Sequence, residues 1–195
     1  MNTWIIVIAI CGIVGLLILG LIFFYRFPDY NGHIKELGLN NKNLYSPAHG
    51  VVSDIRYDNE HDETLVSIFL NVYDIHHQYS PCSGTVQKLE YNEGNFSPAG
   101  FFEKTRDNER MKITISHMRD DGEMDMITIT QIAGLIARVI QTDVKENDDV
   151  FQGGYLGMIK LGSRVDITFP TSKYEIVVKE GQRVNGLNDI IATHV

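Results

Sequence analysis

Hydrophobic and polar positions divide the chain into two unlike parts. From Trp4 to Phe24 a run of 21 residues carries no charge. At about 1.5 Å rise per residue a helix of that length spans roughly 31 Å, which matches a hydrocarbon core of roughly 30 Å. Trp4 and Tyr25 bracket the run as interfacial aromatics do. The run is too long for the apolar stretch of a cleaved signal, no basic segment precedes it, and no small-residue cleavage site follows. Residues 1–26 are therefore expected to form an uncleaved, single-pass N-terminal membrane anchor. Arg26 and Lys35 flank it on the C-terminal side, so the positive-inside rule places the following domain in the cytoplasm. Residues 27–44 are polar, broken by Pro28, Gly32 and Gly38, and read as a connector.

From residue 45 to 195 the pattern switches to period two. Apolar and polar residues alternate over Val51–Tyr57, Thr64–Leu70, Thr85–Tyr91, Met111–Ser116, Met124–Thr130, Leu135–Gln141, Arg164–Phe169 and Tyr174–Val178. These runs are rich in β-branched residues and are separated by Gly, Asn and Asp, which predicts antiparallel strands. No later segment carries a long stripe of period 3.6, so the domain is expected to be a mainly β, antiparallel β sandwich or barrel. A single short helix fits near Val72–Tyr79 or around Pro98–Thr105. Val178–Val184 followed by Asn188–Ala192 resembles the hammerhead of biotinyl and lipoyl carrier folds. No modifiable lysine stands at a hairpin tip, so that likeness is architectural.

Composition narrows the functions. Seventeen Lys and Arg against 25 Asp and Glu leave a net charge of −8, which excludes a general nucleic-acid binder and leaves no polybasic membrane patch. Cys11 lies in the anchor and Cys82 in the domain, so no disulfide is expected. No Cys/His cluster has metal-ligand spacing, and no metal is expected.

Three clusters carry candidate chemistry. Ser46-Pro-Ala-His-Gly50 sets His49 in a turn before a strand. Tyr73-Asp-Ile-His-His-Gln-Tyr79 holds adjacent histidines, which point to opposite faces of an extended chain; one suits a general base and the other an exposed position. The third is Gly162-Ser163. Glycine leaves its carbonyl open to approach, and the next residue places a hydroxyl one short cyclisation away. Attack of Ser163 on the Gly162 carbonyl gives an ester that can eliminate, breaking the chain and leaving a pyruvoyl group.

The order of these motifs resembles the phosphatidylserine decarboxylase family, and most its short archaeal-type branch. Arg26-Phe-Pro28 is similar to the family's stretch after the membrane segment, and Ser46–Gly50 to its Ser-Pro-Ala-Asp-Gly. Ile68–His76 and Ser80–Val86 resemble its Asp-x-His motif and following Ser-Gly-Thr-Val, and Asp107–Arg110 its Asn-Glu-Arg. Thr130–Arg138 and Gly157–Asp166 match the branch almost literally. The resemblance implies self-cleavage between Gly162 and Ser163 into a β chain (1–162) and an α chain (163–195), which stay together. Ser163 would become the pyruvoyl cofactor, forming a Schiff base with the substrate amine and delocalising the carbanion left by carbon dioxide. His76 matches the catalytic histidine. The implied substrate is phosphatidylserine or a related aminophospholipid at the membrane; a homo-oligomer is left open. His49 replaces the family's aspartate, which orients the base in relays of this kind. Either His49 is itself a base, or Asp54 or Asp74 supplies the carboxylate. The alternative is an unprocessed, membrane-anchored pseudo-enzyme with a structural or lipid-binding role.

Overall fold

The computed structural model describes residues 3–26, 41–99, 102–135, 139–160 and 163–195. The apolar run forms one helix, α1 (Thr3–Phe24), long and apolar enough to cross a membrane. Its side chains are exposed along its length until Phe24, its one buried residue.

The rest is β structure. The strands are β1 (Asn43–Tyr45), β2 (Gly50–Asp58), β3 (Glu63–Leu70), β4 (His77–Tyr79), β5 (Gly84–Asn92), β6 (Arg110–Met118) and β7 (Met124–Ile132). They continue with β8 (Ile140–Thr142), β9 (Asp149–Val150), β10 (Tyr155–Ile159), β11 (Ser163–Pro170), β12 (Tyr174–Ile176), β13 (Arg183–Val184) and β14 (Ile190–His194). Eight of them make the main sheet in the order β13-β2-β3-β11-β7-β6-β5-β9, with antiparallel neighbours throughout. Two three-stranded sheets, β1-β14-β12 and β4-β10-β8, complete the domain.

Alternation decides which face of the main sheet is covered. Val66 and Ile68 on β3, Val165 and Ile167 on β11, Ile127 and Ile129 on β7, and Ile113 and Ile115 on β6 all point into the core and are fully buried. Burying such side chains stabilises by about 1.5–3 kcal/mol each. On β11 the intervening residues, Arg164 and Asp166, face the other way. They form a buried bidentate pair at 2.8 and 3.0 Å, and Arg164 also reaches the Thr105 hydroxyl.

Local structure departs from the periodicity in a few places. Val72–Tyr79 is not a helix. The Asp74 carboxylate accepts the Asn71 amide at 2.8 Å and closes a turn, after which His77–Tyr79 pairs with β10. Around Pro98–Thr105 the described residues form one 3₁₀ turn, Phe102–Thr105; positions 100 and 101 lie outside them. The strand expected over Leu135–Gln141 starts at Ile140; positions 136–138 lie outside the described residues. β1, β4, β9, β10, β13 and β14 are too short to show alternation, and they hold their places by pairing with longer neighbours or with one another.

Candidate active site

Three neighbouring strands place the candidate residues at one end of the main sheet. Ser163, the first residue of β11, pairs with Leu70, the last of β3. Val51 near the start of β2 pairs with Phe69 on one side and with Arg183 of β13 on the other. The loop 71–76, the turn carrying His49 and the start of β11 therefore leave the sheet together. Gly50 allows the close approach this needs, since a Cβ there would sit 2.3 Å from the Phe69 carbonyl oxygen.

The Ser163 hydroxyl is fully buried and has no hydrogen-bond partner among the described residues. An unpaired buried hydroxyl costs about 1–3 kcal/mol, so its persistence asks for a role. Gly162 lies outside the described residues.

The loop after β3 fixes His76. The Asp74 amide donates to the Asn71 carbonyl at 2.9 Å, and the buried Asp74 carboxylate pairs with the Arg183 guanidinium. The Asp74 carbonyl then accepts Nδ1–H of His76 at 2.8 Å. That bond sets the tautomer and leaves Nε2 as the basic nitrogen. Burial pushes the His76 pKa down, opposed by the carbonyl and carboxylate of Asp74. The carbonyl of His76 is held in turn by Gln78 Nε2 at 2.6 Å. Gln78 accepts from Gln131 at 2.8 Å and Gln131 from Thr142 at 2.9 Å, so a buried polar chain joins β8 and β7 to the histidine. Gly157 makes room for it: a Cβ there would lie 2.1 Å from the Gln141 carbonyl oxygen and 3.1 Å from Gln131 Nε2.

His77, expected at an exposed position, is buried, with its ring 5.5 Å from that of Tyr155. Asp54 bonds Arg56 at 2.7 Å and sits opposite Ser67, up the strand from the site, so Asp74 is the nearer carboxylate for this end of the sheet.

His49 lies against Gly186, whose added Cβ would come within 3.2 Å of the imidazole. Its Nε2 is buried without a partner among the described residues. Burial lowers its pKa to about 4; the charges of Arg183 and Arg26 act in the same sense, while Asp74 and Asp189 oppose them. His49 is therefore neutral at neutral pH.

A conserved-sequence profile for phosphatidylserine decarboxylase matches residues 21–192. The chain belongs to the phosphatidylserine decarboxylase family. That makes it a member of a carboxy-lyase family of phospholipid biosynthesis whose members are named as proenzymes. It is 38% identical over 171 residues to a phosphatidylserine decarboxylase proenzyme of Solibacter usitatus, covering 88% of this chain and 77% of the relative. A Carboxydothermus hydrogenoformans proenzyme of the same name is 36% identical over 179 residues, 89% of this chain and 79% of its own length. A Methanosarcina barkeri relative assigned as an archaetidylserine decarboxylase proenzyme is 35% identical over 173 residues, covering 89% and 76%.

The phosphatidylserine decarboxylase motifs carry Ser163, His76 and His49, and the matched stretch Thr130–Arg138 contains Gln131 without giving it a role, while Arg183 and Phe24 lie outside them. Arg183 sits in a two-residue strand with no signal of its own. Within the stretch Thr130–Arg138, Gln131 is a polar residue at a core-facing strand position.

Proposed function

We propose that this protein is a self-processing phosphatidylserine decarboxylase that cleaves between Gly162 and Ser163 and acts on phosphatidylserine or a related aminophospholipid. The observation that carries this reading is the buried, unpartnered hydroxyl of Ser163 at the strand ends that also carry His76 and His49. Nε2 of His76 takes the hydroxyl proton. Oγ bonds to the Gly162 carbonyl carbon as the peptide C–N bond breaks, giving an ester. Elimination then releases a carboxylate at Gly162, and hydrolysis of the remaining dehydroalanine frees ammonia and leaves a pyruvoyl group at residue 163. That group supplies an electron sink for the carbanion left by decarboxylation. His76 then serves as the proton donor to carbon, with neutral His49 at the same end of the sheet.

Cleavage would leave 1–162 and 163–195 as separate chains in one fold. β11 is hydrogen-bonded to β3 and β7, while β13 pairs with β2 and β14 with β1, so the small chain is woven through the large one. Val178–Val184 contains β13, and Asn188–Ala192 leads into β14. α1 anchors the domain beside its lipid substrate, on the cytoplasmic side by the positive-inside rule.

A second reading rests on His49. A neutral imidazole cannot stabilise an imidazolium as a carboxylate does, so the chain would remain intact as a membrane-anchored scaffold. Denaturing mass spectrometry separates the two. The enzyme reading expects a C-terminal fragment beginning at residue 163 with a blocked N-terminus, absent from Ser163→Ala. A wild-type chain that stays at its full 22.1 kDa supports the scaffold.

A further inference from the structure

The membrane helix does more than end near the site. Phe24 is the one buried residue of α1, 6% exposed, and the side chains before it are exposed. Its ring lies 4.5 Å from the His76 imidazole, centroid to centroid, tilted by 41°. Two residues on, Arg26 donates to the Tyr73 carbonyl at 2.8 Å, within the same loop, and to the Phe23 carbonyl at 2.6 Å. Its guanidinium also stacks 3.7 Å from the Phe23 ring. One helix turn is thus fastened to both ends of the Tyr73–His76 segment, by an aromatic contact and by a hydrogen bond.

We propose that the last turn of the anchor is a wall of the active site, with Phe24 and Arg26 acting as positioning residues for His76. A helix that merely tethers the domain would show no buried contact and would tolerate any apolar residue at its end. Here a flat ring covers the imidazole on one side, while the Asp74 carbonyl holds Nδ1 on the other. Aromatic contacts of this kind fix ring orientation as well as excluding water. The groups acting on His76 are Asp74 and His77 from its own segment and Arg26 from the anchor. Burial outweighs them and keeps the imidazole neutral, so uncovering it should raise its pKa. The inference deepens the proposed activity and rests on that reading for its kinetic part only.

The test uses the full chain in vesicles of phosphatidylserine and phosphatidylcholine, with Phe24→Ala, Phe24→Leu and, as a control for lost apolar volume, Ile22→Ala at an exposed helix position. Phe24→Ala is expected to lower kcat about tenfold with little change in KM, and to move the acid limb of the pH profile upward. The leucine variant should fall between, and Ile22→Ala should match wild type. A second readout needs no activity. In the Ser163→Ala background, NMR titration of the His76 ring should show a higher pKa with Phe24→Ala than without it. If wild type fails to cleave, the proposed function falls while this titration still decides the inference. If the alanine variant does not fold, the leucine variant decides it. Phe24 variants whose kcat and His76 titration both match the Ile22→Ala control overturn it.

Discussion

The buried imidazole of His49 makes a prediction that depends on neither cleavage nor lipid. In the unfolded chain His49 titrates near its ordinary value of 6.5, and in the fold it does so at about 4. The sign follows from which state binds the proton. Between those values the unfolded chain is protonated and the folded one is not, so stability is constant above the upper value and falls as pH drops through the window. Each pH unit of difference is worth about 1.4 kcal/mol, so the full loss is about 3 kcal/mol, of which about 2 kcal/mol is reached by roughly pH 5. The assay is urea unfolding of the full chain in detergent micelles, followed by strand circular dichroism. A Ser163→Ala background keeps one polypeptide throughout. Stability is measured at about pH 7.5 and about pH 5, and His49→Gln should lose about 2 kcal/mol less than its parent between the two. His76 and His77, whose pKa values are also lowered by burial, contribute equally to both proteins and cancel in the comparison. Equal losses in the two proteins would show that His49 is freely solvated in the folded state and would refute the account of the site as a dry, neutral pocket.

Two further outcomes test the site's supports. Restoring a carboxylate with His49→Asp should speed the appearance of the residue-163 fragment by about tenfold or more, because a charge would then stabilise the imidazolium formed at His76; densitometry of a cleavage time course measures it, and an unchanged or slower rate removes His49 from the relay. Gly157→Ala should destabilise the domain by about 3 kcal/mol, since a methyl group cannot sit 2.1 Å from a carbonyl oxygen without strand β10 moving away from β8. Chemical denaturation reads that loss, and a shift below about 0.5 kcal/mol would mean that β10 pairs more loosely than the register shows.

The apolar N-terminal helix, the long strands and the three chemical clusters were legible along the chain, because each has a local signature. An uncharged run of this length forms one apolar helix, period-two alternation has one buried face, and a hydroxyl after glycine carries its chemistry in adjacent bonds. Which of these meet is set by strand register across the sheet. The pairing of Ser163 with Leu70 and of Val51 with Phe69 and Arg183 brings three distant segments to one sheet end, and nothing local encodes that register. Burial of His77, expected at an exposed position, came with the pairing of its strand to β10, a strand too short to read. The preference for Asp74 over Asp54 came from the same source. Two carboxylates of equal intrinsic chemistry were separated only by their partners, Arg183 across the sheet for one and Arg56 along the strand for the other. The contact of Phe24 with His76 is the extreme case, since an apolar residue in an apolar run looks like its neighbours until the fold shows which one is covered.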